Sequence, residues 1–281
     1  MRLQVIIIGG GPAGLACAIW LKKLGVSATV LEAGPRLGGL QTRSPYENLW
    51  IPGVQGRTGE QVAQGLADHA KAVGVEVHLT SRVHAVSHDD AYTVTTANMS
   101  LSAPYLVIAT GSTPTTGGFI SAQSVAIGPG TPMEDLDVKD RRIAILGGGD
   151  NAFDQARFVM ERGGEAVIFS RTPPRAQKLL QEMIPHVRLE IGDYVADQIT
   201  LRVNGERFDA FGVMYGFEAV IPSGLDPDLD RGFIEVNRQG ETSLPHVYAC
   251  GEVTDYWHPC VATAVAHGIQ VAKQISLKLA G

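Results

Sequence analysis

Cysteine is scarce in this sequence: Cys17, Cys250 and Cys260 are the only three among 281 residues. No two of them form Cys-x-x-Cys, so the chain offers neither the usual redox dithiol nor a disulfide framework, and a reducing, cytoplasmic setting is expected. An excess of basic charge is also missing. The net charge is -6 and the pI near 5.7, which removes the electrostatic case for nucleic acid or an anionic membrane as partner. No apolar run reaches the roughly 18 residues that a membrane span needs. The first apolar strand starts at Val5, leaving no room before it for a signal peptide. No low-complexity tract is present, and no metal site is expected. Glycine, by contrast, is plentiful: 33 residues in a composition (44% hydrophobic, 19% charged) otherwise ordinary for a soluble globular protein. Turns that must approach phosphates closely use glycine in this way.

Two glycine-rich turns share one local context. Val5-Ile6-Ile7-Ile8 runs into Gly9-Gly10-Gly11-Pro12-Ala13-Gly14, and Ile143-Ala144-Ile145-Leu146 runs into Gly147-Gly148-Gly149-Asp150-Asn151-Ala152. Strand, tight turn, helix start is the context that turns Gly-x-Gly-x-x-(Gly/Ala) into a dinucleotide signal. The glycines let the backbone approach a pyrophosphate, and the helix N-terminus supplies unpaired N–H groups and the positive end of its dipole. Two such units in one chain predict two dinucleotides that exchange electrons. At the first, Glu32 ends Ala28-Thr29-Val30-Leu31, near the spacing of about 20 residues expected for an acid that binds adenosine ribose hydroxyls.

Along the chain, Pro12 to Leu24 predicts a helix whose small residues Ala13, Gly14, Ala16 and Ala18 permit close packing on a sheet, with Gly25 as its stop. Cys17 within it reads as a small core residue. A second helix is predicted over 60–73, a strand over 75–79, a hairpin or meander from 83–86 and 92–96, and a buried strand over 105–111. Residues 112 to about 130, rich in Gly, Pro, Ser and Thr, read as a linker between domains. The second unit predicts a strand from Arg141, a helix over 151–162 and a strand over 166–169. Short strand-like pieces fill 188–215. A strand follows Gly232, another covers 247–252, and a helix from about Pro259 to Ala280 closes the chain.

The order of these motifs resembles the low-molecular-weight thioredoxin reductase group of flavoproteins. The resemblance rests on Gly9–Gly14, Glu32, Gly38-Gly39, Trp50-Ile51-Pro52-Gly53, Ala109-Thr110-Gly111, Gly147–Ala152 and Ala249-Cys250-Gly251-Glu252, and it spans nearly the whole chain. It implies an α/β fold of two Rossmann-like dinucleotide-binding domains, in which an NAD(P)H-binding domain (114–216) is inserted into an FAD-binding domain (1–113 and 217–281). It also implies a homodimer. By this resemblance FAD is bound by Gly9, Gly11, Pro12, Ala13, Gly14, Glu32, Ala33, Gly39, Leu40, Trp50, Val83, Ala109, Thr110, Gly111, Gly251, Glu252, Pro259, Cys260 and Val261. NADP(H) is expected at the second glycine unit, on Gly147, Gly149, Asp150, Asn151 and Ala152, with Ser170, Arg171 and Arg175 following its second strand. Glu252 stands where the family has an Asp that holds a ribityl hydroxyl. In the family, backbone N–H groups at the start of the last helix point at flavin N1 and O2, and a helix N-terminus does favour negative charge there. Pro259 suits the first position of that helix.

The departure from the family decides the expected function. Its Cys-x-x-Cys motif opens the second domain, where this chain has Ser124-Val125-Ala126-Ile127-Gly128-Pro129-Gly130. Ser and Ala accept no electrons from a flavin, so neither thioredoxin reduction nor dithiol oxidation is expected. Thioredoxin-reductase-like ferredoxin/flavodoxin–NADP reductases lack the pair as well, although they usually carry a C-terminal extension over the flavin and this sequence ends at Gly281. The expected activity is that of an FAD-dependent NADPH oxidoreductase handing electrons to ferredoxin, flavodoxin or a small quinone-like acceptor. Two rivals stay open: a disulfide reductase using Cys260, with or without Cys250, and a flavin-binding redox sensor whose inserted domain takes no nucleotide.

Comparing the two glycine units sets the nicotinamide choice. Gly9 to Glu32 spans 23 positions, and Gly147 to Ser170 spans the same 23. A Ser followed by Arg171 and then Arg175, in place of an acid, predicts NADP(H) over NAD(H), because an acid would repel a 2′-phosphate that arginine binds. The alternative is that both arginines are solvated surface charges. Cys260 falls at a helix N-terminus, where a thiol tends toward a depressed pKa. It is either a thiolate beside the flavin, with His258 moving protons, or a packing group. His267, further along that helix, reads as a packed or hydrogen-bonded residue.

Overall fold

Continuous apolar runs such as Val5–Ile8 and Ile143–Leu146 have no polar face to offer water, so each belongs inside a parallel sheet covered on both sides. In the computed structural model, which describes residues 2–48 and 50–281, Val5, Ile6, Ile7, Ile143, Ala144, Ile145 and Leu146 are all fully buried. Burial of each large apolar side chain is worth roughly 1.5–3 kcal/mol. The chain divides into two compact units, Met1–Thr113 with Glu218–Gly281, and Pro114–Phe217.

The first unit holds a five-stranded parallel sheet in the order Val247–Ala249, Tyr105–Ile108, Val5–Ile8, Ala28–Leu31, Glu76–His78. One face packs on the helices Pro12–Lys23 and Val261–Ala280 through Ile7, Cys17, Leu21, Val107, Val271 and Ile275. The other face carries an antiparallel meander, Val83–His88, Tyr92–Thr96 and Ser100–Ala103, whose Val86, Tyr92 and Val94 pack on Ile6, Ile8 and Leu106. The two long helices cross closely. A Cβ on Gly268 would lie 2.1 Å from the Ala13 carbonyl oxygen, so only glycine allows this approach. Gly14 plays the same part between helix and sheet, since its Cβ would lie 2.0 Å from the Gly9 carbonyl oxygen.

The second unit repeats the plan with the order Arg188–Ile191, Glu165–Ser170, Arg142–Leu146, Ala210–Val213, Val125–Ile127, again all parallel. In both units the strand before the glycine turn is central, the next strand lies on one side of it, and a strand from elsewhere in the chain lies on the other. The carboxyl end of the central strand is therefore a topological switch point, where open α/β sheets bind ligands. The two Rossmann-like units expected from the glycine turns are present.

Three local expectations are corrected. The stretch 112–130 is not linker throughout: Val125–Ile127 is the edge strand of the second sheet, with Val125 and Ala126 buried. Its flanking glycines and prolines hide a strand too short to show a period. A helix, Lys178–Met183, stands where none is predicted. The last helix begins at Val261 rather than Pro259, because Cys260 caps it and leaves Pro259 outside.

Candidate functional site

Both helices that follow the glycine turns start without a side-chain cap. Gly11 precedes Pro12–Lys23 and Gly149 precedes Asp150–Glu161, each in extended backbone and neither able to cap with a side chain. The helix Gly59–Ala72 differs, with Thr58 and Gln61 forming a full capping box. Bare N–H groups at a helix start are orphan donors that suit an anion.

In the first unit a cleft of about 380 Å³ opens over the carboxyl ends of the strands. Gly9, Gly11, Pro12, Ala13, Glu32, Ala33, Gly39, Leu40, Ala109, Thr110, Gly111, Gly251, Glu252, Cys260 and Val261 all line it. A Cβ on Gly11 would meet nothing nearer than Gly39 Cα at 3.8 Å, so this position is open to the cleft. The Glu32 carboxylate is fixed by two backbone donors, Gly10 N–H and Gly34 N–H, each at 2.7 Å. Each oxygen retains lone-pair capacity for a hydroxyl. Glu252 is fixed in turn by the Ser112 hydroxyl, which donates to Oε2 at 3.1 Å. The open glycine backbone, the uncapped helix start and two anchored carboxylates fit a dinucleotide with a pyrophosphate and two polyol segments.

Four residues of the sequence reading lie off this wall. Gly14 is a helix-packing residue. Trp50 is 55% exposed and does not line the cleft. Val83 packs into the core with Ile6 and Val94, and its neighbour Arg82 lines the cleft instead. Pro259 borders a smaller hollow with Trp257, Cys260, Thr263 and His267. Sequence reasoning missed three cations on the cleft wall, Arg36, Arg43 and Arg82. Their signal was visible for Arg36 and Arg43, which flank Leu37-Gly38-Gly39-Leu40.

At the start of the last helix, Cys260 Sγ accepts from Thr263 N–H at 3.4 Å, and Cys260 N–H donates to Thr263 Oγ1 at 3.2 Å. This reciprocal box occupies the Cys260 N–H, so the N–H groups without an intrahelical acceptor are those of Val261 and Ala262. Thr263 Oγ1 donates to the carbonyl of His258 at 2.7 Å. The His258 side chain is exposed and is not part of the cleft wall. Cys17 and Cys250 are fully buried. Burial pushes the Cys250 thiol up to about 12, and burial, with a smaller contribution from Cys250, raises Cys17 as well. Neither is a thiolate, and all three cysteines are free. His267 is 3% exposed, its Nδ1 accepts from Gly251 N–H at 3.3 Å, and burial lowers its pKa to about 4. It is a neutral imidazole that braces the glycine turn.

The second unit presents Gly147, Gly149, Asn151 and Ala152 at the corresponding edge. Nothing would lie within 4 Å of a Cβ on Gly149, whereas Ala152 is fully buried. The Asp150 carboxylate is turned to the loop, accepting from Gln177 N–H at 2.7 Å and Gln177 Nε2 at 3.0 Å. Ser170 is buried and its hydroxyl donates to the Thr172 carbonyl at 2.6 Å, so it stiffens the turn after its strand. Arg175 N–H donates to the Gly148 carbonyl at 2.8 Å, which folds Thr172-Pro173-Pro174-Arg175 back onto the glycine turn. Arg171 and Arg175 are both exposed.

Residues 3–268 match the family model described as pyridine nucleotide-disulphide oxidoreductase. A ferredoxin–NADP reductase of Limosilactobacillus fermentum is 30% identical, with 91% of this chain and 87% of that protein covered. One from Acholeplasma laidlawii is 28% identical, with 90% and 87% covered. Among solved structures, a thioredoxin reductase of Lactococcus lactis matches with a TM-score of 0.85 at 22% identity, covering 99% of this chain and 100% of its own. A bacillithiol disulfide reductase from Bacillus cereus matches at 0.80 and 21% identity, with 99% and 100% covered. At such identities these structures speak for the fold. The chain belongs to the pyridine nucleotide-disulphide oxidoreductase family, and it is an FAD-dependent NAD(P)H oxidoreductase with a thioredoxin reductase-like fold.

Proposed function

We propose that this enzyme draws electrons from NADPH and passes them, by way of FAD in the cleft of the first unit, to an external carrier protein of the ferredoxin or flavodoxin type. One observation carries the reading: Cys260 is the only cysteine that is not buried, and Cys250, on the wall of the same cleft, is fully buried with its thiol pushed up to about 12, so it offers no second reactive thiol. A dithiol relay cannot be assembled from one thiol, so the acceptor must come from outside the chain. The relatives named ferredoxin–NADP reductase support that choice of acceptor.

Bound in the cleft, FAD would supply the redox chemistry that the side chains lack, taking a hydride's two electrons and releasing them one at a time. The protein's own groups bind and orient. The Gly9–Gly11 turn and the bare start of Pro12–Lys23 suit the pyrophosphate, and Glu32 accepts adenosine ribose hydroxyls. Glu252, steadied by Ser112, accepts from the ribityl chain. The free N–H groups of Val261 and Ala262 favour negative charge at the ring end. In the second unit the Gly147–Gly149 turn takes the pyrophosphate of the nicotinamide nucleotide, and Arg171 with Arg175 selects NADPH.

The test is an anaerobic titration of the FAD-loaded protein. NADPH should bleach the flavin at far lower concentration than NADH, and ferredoxin or flavodoxin should restore the colour. Bleaching by neither nucleotide would overturn the enzyme reading in favour of a flavin-binding sensor. Catalytic reduction of thioredoxin, lost in Cys260→Ser, would overturn the choice of acceptor in favour of a disulfide substrate.

A further inference from the structure

Arg171 is held in an uncommon way. Its guanidinium carbon lies 5.3 Å from the centre of the Tyr194 ring and 5.4 Å from that of Tyr215, both within cation–π range. The two tyrosines are joined, Tyr194 Oη donating to Tyr215 Oη at 3.0 Å. Each ring is braced from behind. Tyr194 packs on Phe169 with centroids 5.6 Å apart, and Tyr215 on Phe119 at 6.1 Å. Gly117 closes on Tyr215 so tightly that a Cβ there would lie 2.4 Å from the ring. Among the described residues, no carboxylate forms an ion pair with Arg171.

These facts combine in one direction. Arg171 follows the strand Glu165–Ser170, Tyr194 follows Arg188–Ile191, and Tyr215 follows Ala210–Val213. All three strands are parallel members of one sheet, so the cluster sits at its ligand-binding edge. An arginine steadied by a carboxylate would have its charge and its N–H fork already engaged. An arginine steadied by ring faces keeps both for an incoming anion, while its long side chain has already lost much of its freedom.

We infer that Tyr194 and Tyr215 are specificity-determining positioning residues: the ring pair holds the Arg171 guanidinium ready for the 2′-phosphate of NADPH and so sets the preference over NADH. This rests on the reading that the second unit binds the nicotinamide nucleotide. The tyrosines act through Arg171, and their hydroxyls serve mainly to lock the rings together.

The experiment is calorimetric titration of the FAD-loaded protein with 2′,5′-ADP and, separately, with 5′-AMP, which lacks only the 2′-phosphate. The parent should bind 2′,5′-ADP at least tenfold more tightly. Arg171→Ala should abolish that ratio with little change for 5′-AMP. Tyr194→Leu and Tyr215→Leu should each lower 2′,5′-ADP affinity about three- to tenfold at unchanged 5′-AMP affinity, and Tyr194→Phe and Tyr215→Phe should restore most of it. Arg171→Lys, an exposed change that does not threaten folding, keeps the charge but loses the planar group that lies over the rings. It should behave nearly as Arg171→Ala. Retention of the parent ratio in Arg171→Lys, or in both leucine variants, would overturn the inference while leaving NADPH binding intact. Failure of the parent to bind either nucleotide would overturn the underlying reading and the inference together.

Discussion

The crossing of Pro12–Lys23 and Val261–Ala280 allows a substitution whose sign is decided by two opposing magnitudes. Gly268→Ala places a methyl group 2.1 Å from the Ala13 carbonyl oxygen, 3.0 Å from its carbon and 3.1 Å from Cys17 N. An ordinary C···O contact is about 3.3 Å, so the helices must separate by about 1.2 Å. All three obstructing atoms are backbone, which cannot swing aside. Alanine in a helix interior gains about 1 kcal/mol over glycine, whereas overpacking costs about 1–3 kcal/mol. Against immovable backbone the upper part of that range applies, giving a net loss of about 1–2 kcal/mol. Gly65→Ala is the matched control. It lies in the helix Gly59–Ala72, and its Cβ would meet only the Arg57 Nη1 at 3.9 Å, so it should gain close to the full 1 kcal/mol. Urea midpoints on the FAD-free protein read stability without cofactor linkage. The FAD dissociation rate should rise in Gly268→Ala, because Val261 and the cleft wall move with their helix. Equal stabilisation in both variants would refute the close crossing as the reason for glycine at 268.

Two further outcomes are expected. His267 is lowered to about 4 by burial against 6.5 unperturbed, so between pH 6.5 and 4 the unfolded chain binds a proton that the native state refuses. Stability should then fall as pH drops through this window, by at most about 3 kcal/mol. His267→Gln should flatten that part of the profile, and parallel slopes for parent and variant would contradict the assignment. Cys260→Ser should keep FAD, NADPH oxidation and the helix cap, while Cys260→Ala loses the cap and about 1 kcal/mol. Loss of turnover in the serine variant with FAD still bound would show that the thiol takes part in the chemistry.

What could be read from the sequence were features that local chemistry enforces. The strand, glycine turn and helix at 5–23 and 142–161 are dictated by apolar runs that must be buried and by turns that only glycine permits. Glu32 was legible by its spacing. The edge strand Val125–Ile127 was not, because three apolar residues between glycine- and proline-rich flanks carry no period. Nor was the fate of Ser170, whose burial and bond to Thr172 depend on how the next loop folds. The surroundings of Arg171 were invisible for a different reason: Tyr194 and Tyr215 reach it only through the order of strands in the sheet.

The cleft wall is built from residues drawn from 9–43, Arg82 and Ala109–Ser112 before the insertion and from 250–264 after it. During synthesis this order has a cost in time. The second unit is one continuous stretch and has all its residues available before the last helix is made. The first unit waits for Val247–Ala249 to pair with Tyr105–Ile108 and for Val261–Ala280 to cover the sheet. At about 5–20 residues per second, the roughly 150 residues in between occupy the ribosome for roughly 8–30 s. For that interval Tyr105–Ile108 is an open apolar sheet edge, the kind of surface that invites aggregation. The cleft wall is thus complete only once residues 250–264 have been made, and a chain broken near residue 240 would retain every residue of its second unit while lacking that part of the wall.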